Sequence, residues 1–436
     1  MARFIDILTS CVSRAAENIS LIAFLALFPM FFFYHLAAAA GVLPYVFGSL
    51  WSSWNGIAAF LFVVLLAVTQ KAFSVWDIAV LVLIAIFAGY ALYHYFFGLT
   101  WQQSLAPALE SIKLILGILS LYGIGRFWKR PDKTQKWLLL SSWAGIVLAS
   151  LLLMNIENGA FVASDRFRNP NAATYQWFAQ AFAFTSLACI AFAPSPRLLP
   201  IVVGISPVVL FVLSSRSDLI SLSIVVFAWV ALCVLIQPKK LSSVALALAV
   251  FSLAGTTLAV SSFSRATLPG PQKTEAKSAA STAVRNRQLE LKDIAQSDSY
   301  KERAELLKYG VNDIISSPIV GKYAGQLQRG GFGGYIHNAL SAWQNFGLIA
   351  FILYLTLALS ALLIAARQVL LRNANSEWHF AFYVSLFTFL SVVAAKSVYW
   401  PLPALAWGLV AGLSIRKSQK VAFVSSEPGH KSNYQF

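Results

Sequence analysis

Charge is what this sequence has least of. Only 11% of its 436 residues are Asp, Glu, Lys or Arg, 58% are hydrophobic, and the mean hydropathy is +0.69. A soluble domain carries about 25% charged residues, and no globular core could hide so much apolar surface, so a water-soluble fold is excluded. Acidic residues are the scarcer sign, 17 against 33 Lys and Arg, and no two are spaced as Asp-x-Asp. The three cysteines (Cys11, Cys189, Cys233) lie in or beside apolar runs at no ligand spacing. Of the five histidines none belongs to a His-Glu-x-x-His. Neither a disulfide framework nor a metal site is expected, and no cofactor is implied. Strand patterns are missing, and with them the strand turn that would raise a nucleophilic serine. The glycines of Gly321–Gly334 follow no strand and precede no Gly-Lys-Ser/Thr, so they form no nucleotide-binding loop.

What is present is a series of long apolar runs, which predicts an all-α, polytopic membrane helix bundle. Twelve spans are expected, at 20–40, 55–70, 76–97, 106–125, 137–156, 173–193, 198–213, 219–236, 241–260, 347–366, 378–395 and 402–415. The seventh holds Pro200 and Pro207 and the first Pro29, so bends are expected there. The chain therefore divides into residues 1–260 (nine helices), 261–346 (one large polar loop or lid), 347–416 (three helices) and a tail, 417–436. Met1–Ser20 has no apolar core followed by a small-residue cleavage site and is not read as a signal peptide. Alternate loops are basic, with Arg126, Lys129, Arg130, Lys133 and Lys136 in one, Lys239 and Lys240 in another, and Arg416, Lys417 and Lys420 after the last span. Cytoplasmic loops collect such cations, so both termini are expected in the cytoplasm and the large loop outside. The net charge of +16 is then a matter of topology, and no nucleic-acid partner is expected.

Some cations fall on the wrong side for that rule. Arg166 and Arg168 stand in Asp165–Asn171, Arg216 in Ser214–Asp218, Lys396 after the eleventh span and Arg265 at the root of the large loop. Cations not needed for orientation are read as converging on an anionic ligand; the alternative is headgroup contact, or salt bridging such as Arg216 with Asp218. Within the large loop, Ser299–Ile315 has helical apolar spacing with Arg303 one turn earlier, an amphipathic helix lying on the outer surface and stopping before Pro318. Gly321–Gly334 is read as flexible, and Ile336–Phe346 as a short helix leading into the tenth span. His337 is the one histidine outside the spans on that side. At a helix start its neutral form is favoured and can act as a base; the alternative is a capping or headgroup-binding histidine. One base among many cations suits a reaction whose leaving group is a phosphate or diphosphate, since arginine can stabilise the departing charge. Glu110 and Lys113, three apart in the fourth span, are expected to pair.

The order of these motifs resembles the bacterial O-antigen ligase/polymerase superfamily of inner-membrane proteins. Arg166–Asn171 is similar to its Arg-x-x-x-Asn-Pro-Asn element, and Ser215-Arg216-Ser217 to its Ser-Arg-Ser/Gly element. Arg303 to Leu307, Pro318 to Gly321 and His337-Asn338 match the loop's helix, its Pro-x-x-Gly step and its His-Asn pair. Eight residues separate Asn338 from Gly347, one fewer than in the ligase pattern. The resemblance implies metal-independent, inverting glycosyl transfer at the periplasmic face of the bacterial inner membrane. The donor would be an O-antigen polysaccharide on undecaprenyl diphosphate, and the acceptor a sugar hydroxyl of lipid A–core among the membrane lipids. It implies that His337 takes the hydroxyl proton, that Arg216 and Arg303, with Arg166, Arg168, Arg265 or Lys396, hold the diphosphate, and that Asn338 and Asn171 support them. An O-antigen polymerase or protein O-oligosaccharyltransferase of the same superfamily is the near alternative; a polytopic transporter is the alternative of another class.

Overall fold

The computed structural model describes residues 18–44, 50–68, 73–100, 102–152, 175–213, 215–236, 242–253, 298–328, 333–371 and 375–425. Among them every regular element is helical. In chain order these are α1 (Asn18–Ala39), α2 (Leu50–Val68), α3 (Val75–Phe97), α4 (Leu105–Arg126), α5 (Lys133–Leu152), α6 (Tyr175–Phe192) and α7 (Leu199–Val212). They are followed by α8 (Arg216–Ile236), α9 (Ser242–Leu253), α10 (Asp298–Ser316), α11 (Leu340–Leu371), α12 (Ser376–Ala394) and α13 (Pro403–Ser425). A helix lies over each of the twelve apolar segments. Seven (α1, α3, α4, α5, α8, α11 and α12) are long and apolar enough to cross a membrane. The protein is a helical membrane protein by that measure. Its exposed side chains agree: Phe60, Phe96, Phe227, Leu253 and Ile349 all face outward, as only a lipid environment tolerates in such number.

Pro29 sits in a π-helical turn, Ala26–Met30, inside α1, where the missing N–H is absorbed by one wider turn. Pro200 opens α7 and Pro207 lies within it, yet α7 runs unbroken to Val212. α4 packs against α2, α3 and α13; α12 packs against α6, α8, α11 and α13. The α4–α13 approach is backbone to backbone: a β-carbon on Gly408 would strike Tyr122 O, and one on Gly412 would strike Arg126 O. A small residue every four positions is the usual way for two helices in lipid to come so close. The basic end of the bundle is tied by Arg126 Nε to Asp77 at 3.2 Å, Tyr122 Oη to Asp77 at 2.6 Å and Arg416 to Glu377 at 3.3 Å.

At the other end lies α10. Gly310, Asp313 and Ile314 face the bundle, while Leu307 and Ile315 of the expected apolar face point away, 41% and 71% exposed. With Ile319 and Val320 they form an exposed apolar edge, suited to a lipid surface. The following turn docks into a break in α11. Gly347 has φ +81 and ψ 178 inside that helix, and a β-carbon there would strike Ile319 O. Leu348 N–H donates to Ile319 O at 3.1 Å, and Lys322 N–H to Gln344 O at 2.6 Å. Gly321, also at positive φ (+76), leaves room for Gly347 N. The Pro318–Gly321 step and Gly347 are thus one joint: the turn fills the hydrogen-bond gap opened by the break. The glycine-rich stretch expected to be flexible is anchored over 321–328. Tyr323 is buried, its Oη 2.9 Å from Pro107 O and Ser111 Oγ, and its carbonyl accepts from Gln102 Nε2 at 2.9 Å.

Candidate functional site

His337 lies in the short non-helical stretch before α11. Ile336 beneath it is buried, and a β-carbon on Gly310 of α10 would meet Ile336 Cγ1, so α10 rests directly on this stretch. Asn338 caps α11: its Oδ1 accepts from Leu340 N–H at 2.9 Å, and its carbonyl accepts from Ser341 Oγ at 2.7 Å. That cap fixes where the helix starts and therefore where the preceding imidazole stands. The resolved contacts of Asn338 are all of this kind.

The His337 imidazole is partly enclosed, and burial is the main force holding its pKa below the ordinary histidine value. The positive charges of Arg303 and Lys396 push it the same way, against Glu302 and a hydrogen bond with the Gly333 backbone. The ring is therefore neutral near pH 7 and free to accept a proton. His337, before α11, thus feels charges from two other places in the chain: Arg303 on an exposed turn of α10, and Lys396 after α12. Tyr335 stands beside the imidazole at 5.6 Å between ring centres and 5.0 Å from Tyr399.

Arg216 opens α8. Ser215 Oγ donates to Asp218 Oδ2 at 2.6 Å, and Lys396 Nζ lies 3.6 Å from Asp218 Oδ1; the aspartate is 0% and the lysine 10% exposed. The cation that pairs with Asp218 is therefore Lys396, and not Arg216 as in the alternative reading of the sequence. Arg216 keeps its Nε and Nη2 enclosed and without a hydrogen-bond partner among the described residues. A guanidinium fork of five donors at the positive end of a helix, three of them (one on Nε, two on Nη2) unmet, has the chemistry to receive an anion. Lys396 holds α8 to α12, and its ammonium also faces the Trp400 ring at 5.8 Å.

Of the residues singled out in sequence, the structure places Arg303 and Lys396 each within electrostatic reach of His337. Arg216 sits two residues before Asp218, the partner of Lys396, in the first turn of α8. Arg166, Arg168, Arg265 and Asn171 lie outside the described residues. Sequence reasoning missed Gln344, whose signal, a carboxamide in an apolar helix start, was legible but ambiguous. It also missed Glu302 and Tyr335, whose relevance depends on the fold. Among the described residues no three His, Cys, Asp or Glu side chains converge as metal ligands.

Behind Tyr399 and Trp400 lies a cavity of about 300 Å³, between α1, α4 and α6, lined in part by Glu110, Lys113, Trp177 and Gln180. Glu110 and Lys113 pair at 3.0 Å as expected.

No family model matches the chain, and no curated protein matches it.

Proposed function

We propose that this protein is an O-antigen ligase. In this reading it is a twelve-span protein of the bacterial inner membrane with both termini cytoplasmic, and its site lies on the periplasmic side. It moves a polysaccharide from undecaprenyl diphosphate to a sugar hydroxyl of lipid A–core. The observation that carries the reading is a neutral His337 flanked by Arg303 and Lys396, with Lys396 paired to Asp218 two residues from an Arg216 whose Nε and Nη2 have no partner among the described residues. A base and an anion receptor at one end of an apolar bundle are what transfer from a lipid diphosphate requires.

The chemistry follows from those groups. The acceptor hydroxyl approaches His337, which accepts its proton as oxygen attacks the anomeric carbon. The bond from that carbon to the diphosphate oxygen breaks, and the diphosphate leaves with the electron pair. Arg216, with Arg303, meets the added charge, in the way fixed donors stabilise charge that develops in a transition state. Single displacement inverts the anomeric centre. The motif order of Arg166–Asn171, Ser215–Ser217, Arg303–Leu307, Pro318–Gly321 and His337–Asn338 supports the superfamily.

The test is reconstitution: purified protein in detergent, a polyprenyl diphosphate-linked polysaccharide, lipid A–core, and no gradient. The expected product is polysaccharide joined to core, lost at least 100-fold with His337→Ala. Longer polymer still on its carrier would make the protein a polymerase, and no covalent product under any condition would leave transport as the reading.

A further inference from the structure

The proposed reaction uses neither Glu110 nor Lys113, yet these two polar side chains pair on the wall of the cavity, 38% and 52% exposed. The segment that faces them is unusual. Between α12 and α13 the backbone is non-helical from 395 to 402, and it does not ride on top of the bundle. Pro401 lies against α4, where a β-carbon on Gly117 would stand 2.7 Å from its Cγ. Gly117 is twelve residues beyond Leu105, which is about 18 Å along α4 at ~1.5 Å per residue. In an apolar layer about 30 Å thick that is past the middle. Irregular backbone at such depth is tolerated only where protein buries it or where it lines a polar cavity. Both hold here: Ser341 Oγ accepts from Val398 N–H at 2.7 Å, and Tyr399–Leu402 forms one wall of the 300 Å³ cavity.

The lining narrows what the cavity can take. Glu110 repels a phosphate, so the cavity is not a continuation of the diphosphate seat. A hydrocarbon chain alone would offer no hydrogen-bond partner to Gln180 or to the half-exposed Glu110–Lys113 pair. A ring with hydroxyls on its edge and C–H groups on its face suits both the polar and the aromatic parts of the wall. Its hydroxyls donate to Glu110 and Gln180 and accept from Lys113, and its face covers the rings of Trp177 and Trp400. The cavity also adjoins the candidate site, since Trp400 faces the Lys396 ammonium and Tyr399 faces Tyr335.

We propose that this cavity is a saccharide-ring subsite within the bundle, with Glu110, Lys113 and Gln180 as hydroxyl partners and Trp177 and Trp400 as its apolar faces. That it serves a substrate rests on the transfer reaction proposed above. The ring has two possible sources, the donor sugar next to the diphosphate or the accepting sugar.

Two measurements on the full chain in a polyoxyethylene detergent test this. The first is saturation-transfer NMR with a panel of octyl glycosides (glucoside, galactoside, N-acetylglucosaminide) against a chain-matched octyl polyoxyethylene ether. At least one glycoside should bind through its ring protons while the ether shows only chain contacts. Glu110→Gln and Gln180→Leu should each weaken that binding tenfold or more. Binding by no glycoside, or binding unchanged in both variants, overturns the subsite. The second is the transfer assay with the same variants. A tenfold rise in donor KM assigns the ring to the donor, and a tenfold rise in acceptor KM assigns it to the acceptor. Unchanged KM for both in an active enzyme overturns the substrate role. A wild type that binds glycosides through Glu110 but transfers nothing supports the subsite and sinks the transfer reading alone.

Discussion

The Gln344 carboxamide donates from Nε2 to Asp313 Oδ2 at 3.0 Å, and its Oε1 accepts from the Ile336 N–H at 3.0 Å. Both side chains are buried, at 1% and 3% exposure, and Asp313 also meets Lys322 Nζ at 3.4 Å. One amide thus joins α10, which carries Arg303, to the stretch that carries His337. The two ends of the carboxamide are not interchangeable here, since the carboxylate needs a donor and the N–H an acceptor.

Gln344→Glu should therefore be worse than its size suggests, because it sets a second carboxylate against Asp313. Like charges raise the pKa of such a pair in the folded state, so its destabilisation grows as pH rises and eases as pH falls far enough to share a proton. Gln344→Ala should cost about 1–3 kcal/mol, the usual cost of leaving buried partners unmet, with little pH dependence. Melting curves between pH 5 and 8 separate the two; parallel curves for both variants would remove the link between Gln344 and Asp313.

Lys396 and Asp218 make a pair that should be tested as a pair. Lys396→Met leaves a fully buried carboxylate without its cation and should destabilise by about 3–5 kcal/mol, whereas the double variant with Asp218→Asn should recover much of that loss. If the stable double variant also regains transfer, Lys396 is structural. If it folds but stays inactive, Lys396 serves the ligand. Arg216→Lys should leave melting nearly unchanged and still weaken lipid diphosphate binding, because lysine lacks the planar fork.

The rate should rise through the His337 pKa, at a pH below the ordinary histidine value of about 6.5. Arg303 contributes to that depression, so Arg303→Ala should move the acid limb of kcat/KM toward higher pH. Loss should be greater at pH 6 than at pH 8. The sign for stability is parallel: a depressed histidine pKa gives stability that is full above the unfolded value and lost as pH falls through the folded one. An acid limb that does not move in Arg303→Ala would detach the arginine from the base.

Gly347→Ala should cost about 1–3 kcal/mol, since it forces a side chain into positive φ and against Ile319 O. Protease sensitivity should rise at Pro318–Gly321, the turn that docks there. Gly89→Ala is the control: nothing lies within 4 Å of its missing β-carbon, and alanine in a helix should be neutral or better.

The helices were largely readable because each is a long apolar run, and periodicity needs no tertiary information. α10 is no apolar run and was readable from its helical spacing, though which of its apolar residues face inward was not: Leu306 and Leu307 look alike in sequence, and only the docking of Gly310 on Ile336 separates them. His337 and Arg216 stood out as polar residues in unexpected places. The Asp218–Lys396 pair joins residues 178 positions apart and depends on how α8 meets α12. The depth of Tyr399–Leu402 was hidden too, because a loop before a short apolar run reads as surface until a contact such as Pro401 with Gly117 fixes its level.

Ser341 is where two of these features meet. Its Oγ donates to Asn338 O and accepts from Val398 N–H, so the stretches bearing His337 and Lys396 hang from one hydroxyl. Thermal motion at the head of α11 then carries base and ammonium as a correlated pair, and their spacing survives fluctuations that would scatter independently mounted groups. Arg216 is mounted on α8 and joins that pair through Asp218. A ligand that draws Arg216 inward thus acts on that linked pair through Asp218.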